Sequence, residues 1–236
     1  MSNTIKLIKK EVIANDTMLF HWENPDGLEF KAGQFGEFNL IEPSESDEKG
    51  NSRDFSFVYA PAENKLATAT RIRDSAYKQV LKDLPDGEEV EFNGPYGDFS
   101  LHKTESTPAV FIIGGIGITP VRSMIAQATI DKTSHDMTLL YSNKTPDDAP
   151  FLNDFEAFAE KNGKFTFVPV MTRADSNWNG ESGHIDADML KKYISDVNVP
   201  IYYLSGPPGM VWDMREMLIE AGVNDDNIIT EEFPGY

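Results

Sequence analysis

Near residues 105–108 the chain changes its hydrophobic rhythm, and that change limits the folds open to it more than any other feature. Before it, short and often alternating apolar stretches run over 5–13, 17–22, 36–41, 55–59, 66–71 and 89–92. Turn sequences such as Asn24-Pro25-Asp26-Gly27 and Pro85-Asp86-Gly87 separate them. Such stretches predict strands, and regular short strands predict a sandwich or barrel. One helical period interrupts them over 75–84, with Ala76, Tyr77, Val80, Leu81 and Leu84 at helical spacing. After the change, strand-like runs at 109–113, 137–141, 165–171, 201–204 and 227–231 alternate with helical periods at 120–129, 149–161, 187–193 and 208–221. That alternation predicts βαβ units and a parallel sheet with helices on both faces. The expectation is a two-domain β + α/β chain: an antiparallel β barrel over 1–104, then a doubly wound parallel-sheet domain over 105–236.

Composition narrows the chemistry. The 236 residues suffice for two domains of ordinary size. Cysteine is absent, which removes disulfides, thiolate metal sites, cysteine nucleophiles and iron–sulfur ligation together. His21, His102, His135 and His184 share no ligand spacing, so no metal is expected. Acidic residues outnumber basic ones by 39 to 21, and a net charge of -18 opposes binding to nucleic acid or anionic membranes. No run reaches the ~18 apolar residues of a membrane span, and the first ten residues lack a leader pattern, so a cytoplasmic chain is expected.

Three segments carry the chemical signal. Gly114-Gly115-Ile116-Gly117-Ile118-Thr119-Pro120 follows a buried strand and opens a helix. Glycines there let backbone approach a pyrophosphate whose charge sits at the helix N-terminus, with Thr119 as cap and Pro120 in the first turn. A second turn, Ser205-Gly206-Pro207-Pro208-Gly209-Met210, also ends a parallel strand, where open α/β sheets bind ligands. In the barrel half, Arg53-Asp54-Phe55-Ser56 offers a guanidinium for phosphate, a flat ring for stacking and a hydroxyl donor.

Together with Lys31-Ala32-Gly33-Gln34-Phe35, Gly94-Pro95-Tyr96-Gly97 and the aromatic ending Glu231-Glu232-Phe233-Pro234-Gly235-Tyr236, these segments fall in the order of one family. The chain resembles the ferredoxin–NADP reductase superfamily of flavin oxidoreductases over nearly its whole length. The resemblance implies that Arg53 binds a flavin phosphate, Phe55 stacks on the isoalloxazine and Ser56 hydrogen-bonds near N5. It further implies that Arg71, Ile72, Arg73, Ser75 and the helix start after them hold the phosphates of a flavin dinucleotide, so FAD is expected over FMN. Gly114, Gly115, Gly117, Thr119, Pro120, Gly206, Pro207 and Met210 would hold NADH or NADPH. Thr172-Arg173, after the third strand of the second domain, suits a 2′-phosphate and leans towards NADPH. Phe233 and Tyr236 are candidates to cover the flavin face, and Glu232 to assist proton movement.

Two departures from the family pattern bear on rate. Phe55 stands where a Tyr is usual and loses its hydroxyl; Ser205 stands where a Cys is usual near the nicotinamide. The expected activity is hydride transfer from nicotinamide C4 to flavin N5, with electrons passed to a separate acceptor: ferredoxin, flavodoxin, a cytochrome, quinone or free flavin. The rival reading is a non-catalytic FAD-binding protein of electron transfer or regulation, for which Ser205 is the support. Gly117→Val is expected to block the nicotinamide while sparing the flavin.

Overall fold

The structure, a computed structural model, describes residues 3–233. Its first half is a six-stranded antiparallel sheet built from β1 (Asn3–Ala14), β2 (Thr17–Trp22), β3 (Phe35–Leu40), β4 (Ser52–Ser56), β5 (Leu66–Arg71) and β6 (Glu89–Tyr96). Strand order is β4-β3-β6-β1-β2-β5. The sheet curls so that its two edges meet: just beyond β4, the Val58 N–H donates to the Ala67 carbonyl of β5 at 2.9 Å. Phe20, Trp22, Phe38, Phe57 and Phe92 fill the interior. Helix α1 (Ala76–Asp83) adds Tyr77 and Leu81 to this core, and the Tyr77 hydroxyl donates to the Phe38 carbonyl at 2.8 Å.

β4 lies three residues earlier than the apolar run at 55–59 suggests. Its ladder with β3 pairs Phe38 with Arg53 and Gly36 with Phe55. Phe57 and Val58 are buried, but their N–H groups bond to Gln34 and Ala67 outside that ladder. Burial and ladder pairing are separate properties, and the apolar run reported only the first.

The second half is a parallel sheet of order β10-β9-β8-β7-β11-β12. Its strands are β7 (Ala109–Gly114), β8 (Met137–Asn143), β9 (Phe165–Met171), β10 (Glu181–Ser182), β11 (Ile201–Gly206) and β12 (Ile228–Glu232). Side chains of β7 alternate between the two faces. Phe111 and Ile113 pack with α2 (Ile118–Asp131) and α3 (Leu152–Lys161). Val110 and Ile112 pack with α4 (Ala187–Tyr193) and α5 (Pro208–Glu220). The doubly wound expectation is met. α3 starts later than expected, at Leu152, because Pro150 precedes and Phe151 takes a left-handed φ of 62°. No helix among the described residues is long and apolar enough to cross a membrane.

The chain leaves β7 towards β8 and β9 on one side and returns to β11 on the other. The loops after β7 and β11 therefore diverge at a topological switch point, where open sheets of this kind hold ligands.

Candidate functional site

At that switch point the two glycine turns interlock. A Cβ on Gly117 would lie 2.6 Å from the Gly206 nitrogen, and one on Gly114 would lie 2.4 Å from the Met210 sulfur. The glycines are thus required first by each other's backbone and by Met210. This corrects the expectation that Gly117→Val is a clean ligand-blocking change: the added side chain meets the 205–206 backbone. Thr119 is also corrected. Helix α2 begins at Ile118 with Gly117 as its N-cap and no side-chain capping bond, while the Thr119 hydroxyl donates back to the Ile116 carbonyl at 3.2 Å. Pro120 lies inside the first turn and is buried with Gly115.

Beside the switch point, between the two sheets, runs a cleft of about 890 Å³, a size suited to a cofactor. The barrel supplies Arg53, Phe55 and Ser56 from β4, Arg71 from β5, and Arg73, Ser75 and Lys78 from the start of α1. The α/β half supplies Ile116 from the glycine loop and Glu231, Glu232 and Phe233 from β12 and its exit. Residues far apart in sequence are brought to one cavity. Tyr236 lies outside the described residues.

One wall carries the basic groups. Arg53, Arg71, Arg73 and Lys78 line it with Lys49, among the carboxylates of Asp47, Glu48, Asp54 and Asp74, in a chain whose net charge is -18. Lys78 was not foreseen. Burial, with Arg73, Arg53 and Lys49 nearby, pushes its ammonium down to about 8. Arg71 is buried, and one of its nitrogens donates across the domains to the Asp148 carbonyl at 3.2 Å. Arg73 lies 3.8 Å from Asp16. The Ser75 hydroxyl accepts from the Lys78 N–H at 3.3 Å as the cap of α1. Ile72 packs against the barrel core and does not line the cleft.

The other walls are apolar. Phe55 lines the cleft while its ring packs on Phe38 and Tyr77, at 5.9 and 6.0 Å. Phe233 packs on a cluster of Leu19, Val58, Ala67, Ala69 and Ile116, and its N–H donates to the Gly206 carbonyl at 3.0 Å. The tail thereby crosses from the switch point to the barrel.

Three buried polar groups near the carboxyl ends of strands of the parallel sheet have no hydrogen-bond partner among the described residues: the Asn143 amide on β8, the Ser205 hydroxyl on β11 and a Glu231 carboxylate oxygen on β12. Ser205 is 0% exposed and pairs in register with Glu231. Burial alone raises the Glu231 carboxyl to about 7. Buried orphans of this kind call for a ligand, a water or a chemical role. Glu232, the sequence candidate for proton handling, is exposed at the rim; the desolvated carboxyl is Glu231. Thr172 and Arg173 follow β9, bonded through their N–H groups to the Asn143 and Lys144 carbonyls at 2.8 Å each, and the Arg173 side chain is exposed. Pro207 and Met210 lie at the start of α5 against Gly114.

Clustered basic side chains, apolar surfaces and the unpaired Glu231 oxygen fit a large anionic ligand with a flat ring, as a flavin dinucleotide is. Comparison with known proteins gives the following likenesses. The family model "Oxidoreductase NAD-binding domain" matches residues 111–216. One component of the Na(+)-translocating NADH-quinone reductase of Idiomarina loihiensis is 30% identical over 158 residues, 64% of this chain and 38% of that protein. The chain thus spans well under half the length of that relative. The flavohaem-like FAD/NAD-binding domain of nitric oxide dioxygenase from Vibrio cholerae superposes with a TM-score of 0.86 at 20% identity, over 98% of each chain. A ferredoxin NADP+ reductase from Neisseria gonorrhoeae, with bound FAD and NADP, superposes with a TM-score of 0.81 at 23% identity, again over 98% of each chain.

Proposed function

We propose that the chain belongs to the ferredoxin–NADP reductase superfamily and is an NAD(P)H-dependent flavin oxidoreductase. In this reading residues 1–104 form the flavin domain and residues 105–236 the nicotinamide domain. The observation that carries it is the single cleft into which both halves send residues of complementary chemistry.

FAD, when bound there, supplies a ring that takes hydride from a nicotinamide and releases electrons singly or in pairs. The chain's own groups orient and shield. Arg71, Arg73 and Lys78 hold the phosphates, with Arg53 joining them. Phe55 and Ile116 border the ring, and Ser56 directs its hydroxyl to it. Ser205 and Glu231, side by side at the switch point, face the place where nicotinamide and flavin meet. Glu231, with a carboxyl near neutrality, can hold or release a proton at working pH, the task first assigned to Glu232. Phe233 covers the cleft and moves aside for the nicotinamide.

The donor is NADH or NADPH. The relative's name supports NADH. Exposed Arg173 and Lys144, adjacent at the ends of β9 and β8, support a 2′-phosphate. Electrons leave to a separate acceptor, and a quinone-reducing assembly is the first to test, followed by ferredoxin, flavodoxin, a cytochrome and free flavin.

Anaerobic stopped-flow mixing of the FAD-loaded protein with each nicotinamide tests the reading, followed at ~450 nm, where oxidised flavin absorbs. Rapid bleaching by one nucleotide is expected. Bound flavin that neither nucleotide reduces would leave the non-catalytic electron-transfer reading, which the substitution at Ser205 favours. A protein that retains no flavin would overturn both.

A further inference from the structure

Arg53 is expected to grip a flavin phosphate, yet its terminal nitrogens are already engaged. Nη2 donates to both carboxylate oxygens of Asp47, at 2.6 and 2.8 Å. Nη1 donates to the carbonyls of Ser52, Gly50 and Lys49, at 2.6, 2.9 and 3.1 Å. The guanidinium lies 5.0 Å from the centre of the Tyr77 ring, and Tyr77 is locked in the barrel core. Arg53 is therefore the fixed partner. Asp47 belongs to an exposed segment, residues 41–50, whose backbone is closed at its base by the Leu40 N–H to Asn51 carbonyl bond at 2.9 Å. Asp47 and Arg53 both line the cleft.

We propose that Asp47 holds the place of a ligand phosphate on Arg53, so that a phosphate-bearing flavin enters by displacing this carboxylate and is bound exchangeably. The inference rests on the flavin reading above. Asp47 occupies Nη2 alone, and the anionic oxygens of a phosphate accept from the same N–H groups, so the two compete for one donor nitrogen. Asp47 brings one negative charge on a segment exposed to solvent. A pyrophosphate brings more charge and also reaches Arg71, Arg73 and Lys78, so it wins when those contacts form. Riboflavin, which has no phosphate, leaves the Asp47–Arg53 pair in place. Asp47 thus weakens the hold on phosphorylated flavins alone, by a displacement cost that riboflavin does not meet, and keeps their binding reversible.

The test is calorimetric titration of the full chain with FAD, riboflavin and inorganic pyrophosphate, for the wild type, Asp47→Asn and Glu48→Gln. Glu48 lines the same cleft and makes no hydrogen bond to Arg53, so its variant reports the effect of charge alone. Asp47→Asn is expected to tighten FAD and pyrophosphate roughly ten-fold, the effect of removing about 1.4 kcal/mol of competition, and to leave riboflavin unchanged. Glu48→Gln is expected to shift FAD by less than about two-fold. Unchanged or weaker FAD binding by Asp47→Asn, or equal tightening by both variants, overturns the proposal while the flavin reading stands. If FAD binds to none of the three but pyrophosphate binds tighter to Asp47→Asn, the flavin reading falls and the displacement stands. If neither FAD nor pyrophosphate binds, both fall.

Discussion

Arg122 of α2 ties the two halves together through Glu63, which sits in the short turn after β4. The same guanidinium donates to Asp154 of α3 at 2.8 and 2.9 Å, and lies over the rings of Tyr59 and Phe158 at 4.7 and 5.4 Å. Glu63 in turn accepts from the Ala60 N–H at 2.7 Å, so the pair also sets the course of the chain leaving the flavin strand. Removing one partner of such a buried network leaves the others uncompensated, at a cost of about 3–5 kcal/mol. Arg122→Met should lower unfolding stability by that order in urea titrations, and Arg122→Lys should recover only part of it, since an ammonium lacks the fork. A loss below about 1 kcal/mol for Arg122→Met would show that the tie is not what joins the domains.

The interlocked turns give a paired prediction. Gly117→Ala forces a methyl to 2.6 Å from the Gly206 nitrogen, and backbone cannot yield as a side chain does. Overpacking of that kind costs about 1–3 kcal/mol. Gly209, in the first turn of α5, has nothing within 4 Å of its missing Cβ. Gly209→Ala should therefore be neutral or stabilise by up to about 1 kcal/mol, since alanine loses less conformational freedom in a helix. Equal thermal shifts for the two variants would contradict the interlock.

These glycines mark the boundary of what the sequence disclosed. Period and punctuation located β2, β5 and β9 at their observed bounds, because each has a strong local pattern, and the weaker period at 187–193 located α4 as well. The motifs located the right loops, yet assigned the glycines to a ligand when the nearer constraint is another turn about 90 residues away. Adjacent Glu231 and Glu232 were indistinguishable by type. Only the register of β12 against β11, which sets Glu231 beside Ser205, separates the buried carboxyl from the exposed one. Lys78 escaped because a lysine on an amphipathic helix reads as solvated; its position one turn beyond the Ser75 cap, near Arg73, Arg53 and Lys49, is a tertiary fact. The Asp47–Arg53 pair was equally hidden, being the meeting of an exposed acidic segment with a strand.

Glu231 makes stability depend on pH in a defined direction. Its carboxyl rises from 4.5 to about 7 on folding, through burial. Below 4.5 it is protonated in both states and contributes nothing to the slope. Between 4.5 and 7 the unfolded chain releases this proton first, so stability falls as pH rises, and above 7 the loss is complete. At about 1.36 kcal/mol per pH unit the full effect is about 3 kcal/mol. Denaturant midpoints of the wild type and Glu231→Gln should diverge from about pH 5 to about pH 8, with the glutamine variant the more stable at the upper end. Parallel pH profiles would show that the carboxylate finds solvation in the folded protein.

Lys78 gives the converse test, read through ligand binding. Burial first, then Arg73, Arg53 and Lys49, lowers its ammonium to about 8, so near pH 8 roughly half the molecules carry it neutral. An anion placed on the cationic wall favours the charged form and draws a proton from buffer. Titration of the protein with inorganic pyrophosphate at about pH 8, in two buffers of different ionisation enthalpy, should therefore reveal uptake of up to about half a proton per site. Pyrophosphate is the better probe than FAD, because it engages the basic wall without also covering Glu231 at the far side. Lys78→Met should bind more weakly and take up fewer protons than the wild type, since the ligand's own change of protonation is common to both. Should the variant take up as many protons as the wild type, the titrating group lies elsewhere and Lys78 does not face the anion.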